Sequence, residues 1–259
     1  MKRRRTVLNL LRHRKMNILD DLLTTLGPDG PVRSVLVGAH WTAVCSRHCG
    51  QASTLTGEKP HGHERVREVG RLHLKTALEL AELARSDNLL EASIGVAAIN
   101  SLIEVEREHV TESNARDVLA QHGRGRAVAL VGHFPFIPQL RPLTRELWVI
   151  EQHPSEGEYP AEAAADLIPQ ADVVAITGTA LINHSLEGLL ALCPPNCFVM
   201  ILGPSTPLSP VLFGYGVAML SGARVVDEEA ALRTIGQGAT FQQVEGARLV
   251  AMSKEKIAR

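Results

Sequence analysis

"DVVAITGTALINHSLEGLLALC", residues 172–193, changes its period within a few positions. "DVVAITG" (172–178) is a short β-branched apolar run of the kind that forms a strand buried on both faces. "TALINHSLEGLLALC" (179–193) spaces its leucines as a helix does. Gly178, with Thr177 and Thr179 on either side, marks the join. Parallel strands need a covering crossover, so a strand that opens directly into a helix is the building unit of a parallel α/β sheet.

The unit recurs on both sides. "AVALVG" (127–132), "ELWVIEQ" (146–152), "CFVMILG" (197–203) and "GVAMLSG" (216–222) read as strands. Helical segments "FIPQLRPLT", "PAEAAADLIP" and "DEEAALRTIGQG" separate or follow them. This predicts a Rossmann-like parallel-sheet domain over 126–240, with 241–259 as a C-terminal extension. Upstream, "NILDDLLTTL" is a helix stopped by Gly27-Pro28, and "VRSVLVGAHWTAVCS" is two strands around a turn at Gly38 to His40. "LHLKTALELAELARS" and "LLEASIGVAAINSLIE" are helices, the second apolar on most sides. Residues 16–110 therefore read as a small α+β domain, and polar residues 111–125 as a connection. The predicted fold class is α/β, a small α+β domain followed by the Rossmann-like one.

At 259 residues, 45% hydrophobic and 21% charged, the chain can bury proper cores. A net charge of -1 and an aromatic share of 3% argue against a nucleic-acid surface. Its longest apolar runs are far short of a membrane span. Residues 1–15 carry seven Lys and Arg, and read as a polyanion-binding tail, a frayed tail, or upstream codons before a true start at Met16. They contain no secretion-signal pattern, so four cysteines fit a reducing cytoplasm better than a disulfide scaffold.

In open α/β sheets ligands bind beyond the carboxyl ends of the strands. The loops there are "GHFPFIP", "EQHPSEGEYP", "TGTALINHS", "GPSTPLSP" and "SGARVVD". In "TGTALINHS", Thr177 or Thr179 can cap the helix, and Asn183 shares the mouth. Prolines stiffen "GPSTPLSP" and aim Ser205 and Thr206 beside Gly203. "GHFPFIP" offers His133 as an ion ligand or proton carrier, and Phe134 with Pro135 as an apolar wall. His184 is a further candidate ligand. Each loop is equally readable as a cap or rigid turn without a ligand. No "GxGxxG" follows the 127–132 strand and no P-loop occurs, so neither nucleotide site is supported.

"QASTL", "GHFPFIPQL", "TGTALINHSLEGLL" and "GPSTPLSPVLFGYGVAMLSGARVVD" together resemble the heavy-metal-chelation family, over about Met16 to Gly238. The resemblance implies an enolase-N-terminal-like domain joined to a Rossmann-like one, with the site in the crevice between them. It does not bring enolase chemistry, which resides in a barrel that is absent here. "GQASTL" places Ser53 and Thr54 toward the crevice, with Asn100 lining it or tying a loop to its helix.

Cys45, His48 and Cys49 offer two thiolates and an imidazole, a set suited to thiophilic ions, which His61 and His63 could complete. Alternatively Cys45 is a small core hydrophobe. In the family pattern the position before "GxAST" is small, so this cluster is particular to the chain. Cys193 and Cys197 read as buried. Three functions follow: a protein binding a transition or heavy-metal ion or its complex, an enzyme on a small anionic metabolite, or a non-catalytic structural or regulatory subunit. The partners expected are a small-molecule or metal ligand and a possible second copy of the chain, with neither nucleic acid nor membrane.

Overall fold

The computed structural model describes residues 17–57 and 65–257. The basic stretch 1–15, with Met16, His61 and His63, lies outside them. Helix α1 (Ile18–Thr24), capped by Asn17, leads into a three-stranded antiparallel meander of β1 (Ser34–Val37), β2 (Trp41–Cys45) and β3 (Cys49–Ser53). The third strand lies where the sequence reads as mostly loop. Helices α2 (Ala77–Ala81) and α3 (Leu89–Leu102) follow. Apolar almost all round, α3 is buried over nearly its whole length and forms the centre of this half.

The larger sheet has eight strands: β4 (Val110–Glu112), β5 (Ala127–Val131), β6 (Glu146–Glu151), β7 (Tyr159–Pro160), β8 (Val173–Thr177), β9 (Phe198–Leu202), β10 (Met219–Val225) and β11 (Ala247–Ser253). They lie in the order β4-β11-β10-β9-β8-β5-β6-β7. All pairs from β10 to β7 are parallel, while β11 pairs antiparallel with β10 and with β4. Read from β7 to β10, this is the doubly wound Rossmann order, in which the winding reverses between β5 and β8. The fold is α/β, a small antiparallel sheet with helices joined to a larger, mostly parallel sheet.

Alternation along β8 builds two cores. Val173 and Ala175 join Val118 and Leu119 of α4 (Ala115–Gly123) with Ile137 and Leu140 of α5 (Ile137–Leu140). Val174 and Ile176 face the other way, into one cluster with Ile94, Ala98 and Leu102 of α3. The sheet thus uses the N-terminal half as the cover of one face, and the two halves share a core.

Helix α4 and all of strand β4 but Val110 lie inside the stretch read as a connection, and β11 inside the stretch read as an extension. As the edge strand of the sheet, β4 has none of its three residues buried, and its polar composition conceals it. Strand β11, between β4 and β10, carries an exposed Arg248 and buries only Val250, Ala251 and Met252. Residues 179–193 are not one helix but α7 (Thr179–Ile182) and α8 (Leu186–Leu192); α6 (Ala164–Leu167) precedes β8, and α9 (Glu228–Gly236) and α10 (Lys254–Ile257) complete the described residues. The break comes where Asn183 Oδ1 accepts the Ser185 N–H at 3.2 Å and its hydroxyl at 2.7 Å. His184 there takes a left-handed φ of 59°. A short polar side chain that bonds its own backbone competes with helix propagation. No helix among the described residues is long and apolar enough to cross a membrane.

Candidate functional site

The winding reversal leaves a cavity of about 1300 Å³ beyond the carboxyl ends of β5, β8 and β9, closed on one side by the meander. Each strand ends in a glycine that clears space. Gly132 (φ 112°) and Gly203 (φ 103°) take backbone conformations open mainly to glycine. Gly178 is required by a close approach: a Cβ there would stand 2.6 Å from the Thr206 backbone nitrogen and 2.8 Å from its hydroxyl. The stiff 203–209 loop therefore lies directly against the turn between β8 and α7.

That loop is also the seam between the halves. Ser205, 1% exposed, accepts the Ser53 N–H at 2.8 Å and pairs hydroxyl to hydroxyl with Ser53 at 3.1 Å. Asn100 Nδ2 donates to the Gln51 carbonyl at 2.9 Å and to the Ser205 carbonyl at 3.3 Å. Asn100 is thus the tie from α3 to both β3 and the loop. Gly50 needs no unusual backbone angle; a Cβ there would meet the Ala97 carbonyl oxygen at 2.2 Å, so glycine is what lets β3 lie on α3. Behind this seam Gln51 Oε1 and Nε2, Asn100 Oδ1 and Thr206 Oγ1 are buried and find no partner among the described residues. Buried polar atoms are otherwise almost always paired, so a cluster of unpaired ones marks a place of function or of bound water.

Of the residues expected at the site, Ser53, His133, Phe134, Pro135, Thr177, Thr179, Asn183, His184, Gly203 and Ser205 line the cavity. Thr54, Asn100 and Thr206 are not on its wall. Thr54 pairs with Thr42 through their hydroxyls at 2.9 Å. The hydroxyls of Thr177 and Thr179 lie 3.0 Å apart, and Thr177 accepts the Thr179 N–H at the start of α7. His184 Nε2 sits 2.9 Å from the Ala84 carbonyl oxygen. A carbonyl only accepts, so Nε2 carries the proton and the ring pins α2–α3 to the sheet. His133 is the exposed one: its backbone N–H donates to Glu151, and Nδ1 lies 2.6 Å from Glu158 Oε1. Hydrogen bonds from the Ser155 N–H and from His133 hold the Glu158 carboxyl below its ordinary pKa.

The expectation that Cys45 and Cys49 offer free thiolates to an ion is corrected. The β2–β3 register sets them directly opposite one another, and they are joined as a disulfide. His48, on the turn between them, pairs with Glu104 at 3.3 Å, and none of the three lines the cavity. Cys193 and Cys197 are half-buried free thiols; burial pushes them up to about 12 and about 11. Among the described residues, Glu106, Glu108 and His109 form the one group of three metal-type side chains close enough to share an ion, and they lie at the surface outside the cavity.

Several wall residues carry no local motif: Trp41 from β2, Arg116 from α4, Glu151 from β6 and Phe241 after α9. Scarcity is the signal that points to two of them. In a chain with two Trp and five Phe, Trp41 and Phe241 stand beside loops already rich in small polar residues.

Residues 19–103 match the family DUF4213 and residues 114–254 match DUF364, both described as "Putative heavy-metal chelation". An uncharacterized protein of Methanocaldococcus jannaschii is 27% identical over 193 residues, which cover 71% of this chain and 72% of that protein. A DUF364 protein of unknown function from Desulfitobacterium hafniense has the same fold with a TM-score of 0.81 and 30% identity, over 92% of this chain and 98% of that one. A second, from Pyrococcus horikoshii, aligns with a TM-score of 0.75 at 20% identity, over 91% and 98%, and shares the fold. With its Rossmann-like half matched almost throughout, the chain belongs to the DUF364 family.

Proposed function

We propose that the chain binds a metal complex, an ion already held by a small organic chelator, in the crevice between its halves. The observation that carries this reading is the mismatch between the size of the cavity and its donors. A bare ion needs several ligand atoms at roughly 2.0–2.6 Å. The cavity, at about 1300 Å³, is as roomy as sites for whole organic ligands, and no three metal-type side chains converge on it among the described residues. His133 and Glu151 at its mouth are suited to completing the coordination of an ion that brings its other ligands along. The family description supports a role in chelation, and the crevice supports recognition of the chelate.

The test is thermal unfolding with cobalt, nickel, copper or zinc ions, alone and as complexes of small carboxylate chelators. A complex at a hundred times its Kd contributes about 2.7 kcal/mol, or about 5–10 °C for a chain of this size. Complexes are expected to raise Tm and bare ions to do little. No rise with any of them overturns the reading. A second reading, turnover of a small anionic metabolite, draws on the His133–Glu158 pair as a proton carrier. It predicts that cells carrying His133→Asn accumulate a metabolite that wild-type cells do not.

A further inference from the structure

The cavity holds a disproportionate share of the aromatic side chains. The chain has two Trp, two Tyr and five Phe. Trp41, Phe134, Phe136 and Phe241 all line this one space. They come as two touching pairs from separate parts of the fold. Phe134 and Phe136 stack with centroids 5.2 Å apart and planes 18° apart, while Trp41 and Phe241 meet edge to face at 5.6 Å and 60°. The other two Phe are accounted for elsewhere: Phe213 is buried in the core and Phe198 stacks on His122 at 3.8 Å.

The three Phe of the cavity remain only half buried, so they leave ring surface facing the open space. That surface is costly to expose, and it is recovered when a flat apolar body lies on it. Phe134 rests over Gly132 and Gly203, the positive-φ glycines that end β5 and β9, with its ring within 3.0 Å and 3.9 Å of where their Cβ atoms would stand. The glycines thus seat a ring across the end of β8. On the other pair, the Trp41 indole N–H is buried and donates to nothing among the described residues.

The charge balance points the same way. Arg116 is the one Lys or Arg on the wall among the described residues, and it is paired with Asp117 at 2.9 Å. Glu151 is the one carboxylate, engaged by the backbone N–H groups of His133 and Gln152. A nearly neutral wall with aromatic pairs suits a flat ligand of low net charge far better than a polyphosphate or other dense anion. We infer that the crevice selects a planar heteroaromatic ligand, laid against Phe134–Phe136 and Trp41–Phe241, with ring heteroatoms and polar substituents met by the Ser53–Ser205 and Thr177–Thr179 hydroxyl pairs. This rests on the metal-complex reading and names the chelator's class: its donors belong to an aromatic ring system.

The test is calorimetric titration with nickel complexes of pyridine-2,6-dicarboxylate and of iminodiacetate. Both present the same O,N,O donors and charge, and only the first carries a ring. The pyridine complex is expected to bind about tenfold tighter, since each aromatic contact is worth a severalfold gain. Phe136→Leu and Phe241→Leu should each cut that preference severalfold, weakening the pyridine complex more than the iminodiacetate complex. Equal affinity for the two complexes, or a preference untouched in both variants, overturns the inference while the metal-complex reading stands. If free pyridine-2,6-dicarboxylate binds as tightly as its nickel complex, ring recognition stands and the metal-complex reading falls. Binding of none of these compounds overturns the inference.

Discussion

Gly50→Ala adds one methyl group where the two halves of the protein are stitched together. The new Cβ would stand 2.2 Å from the Ala97 carbonyl oxygen, 2.3 Å from the Ser101 nitrogen and 2.6 Å from the Asn100 carbonyl carbon. All three are backbone atoms of a buried helix, so no side chain can swing aside. Ordinary contact needs β3 to lift off α3 by about 1 Å. That movement stretches the Asn100–Gln51 hydrogen bond, now 2.9 Å, and draws Ser53 away from Ser205. Overpacking of this kind costs about 1–3 kcal/mol, and one strained interior hydrogen bond adds about 1 kcal/mol. The expected loss is about 3 kcal/mol, a fall in Tm of about 6–12 °C at this chain length. Calorimetric melting of Gly50→Ala beside Gly214→Ala measures it. Gly214 has nothing within 4 Å of its would-be Cβ, so that variant should melt with the wild type or slightly above it. A Gly50→Ala protein that melts within about 2 °C of wild type would refute the role given to this glycine.

Further outcomes follow from individual side chains. Burial alone would raise the Glu91 carboxyl, but hydrogen bonds from the Arg67 guanidinium and N–H and from Ser86 outweigh it and hold the pKa below its ordinary 4.5. A lowered folded pKa gives stability that is full above the unfolded value and lost as pH falls through the folded one. Glu91→Gln should therefore cost about 1–3 kcal/mol at pH 7, with a gap to wild type that narrows below pH 4.5 in urea melts; a gap independent of pH argues against it. Because Cys193 and Cys197 are raised to about 12 and about 11, both stay protonated at pH 8 and should resist iodoacetamide until the chain is unfolded. Unfolded without reductant, the chain should show two free thiols, and four after reduction; four at the outset would contradict the Cys45–Cys49 bond.

The parallel sheet was legible because "DVVAITG", "AVALVG" and "CFVMILG" are buried on both faces and so lack polar interruptions. Strands β4 and β11 were not: β4 is a three-residue edge strand with nothing buried, and β11 buries only the short run Val250, Ala251 and Met252 behind an exposed Arg248. The mouth of the crevice was readable from glycine, threonine and proline at strand ends, where Thr177, Gly203 and Ser205 stand. Its aromatic lining was not, because Trp41, Phe136 and Phe241 converge from three elements and only the folded chain makes them neighbours. Sulfur misled the reading for a related reason. Cys45 and Cys49 look like an i, i+4 ligand pair along the chain, yet a tight hairpin places them face to face. Gly50 shows the limit most plainly: its function is a missing methyl group, which is visible only against the helix it touches.

The central claim is one of place: a metal complex bound where the winding reverses. Anomalous diffraction from crystals grown with the nickel complex of pyridine-2,6-dicarboxylate tests it directly. The account predicts one nickel peak in the crevice, near the carboxyl ends of β5 and β8 and within reach of His133 or Glu151. A peak at the Cys45–His48–Cys49 hairpin or at Glu106–His109, with the crevice empty, would contradict it.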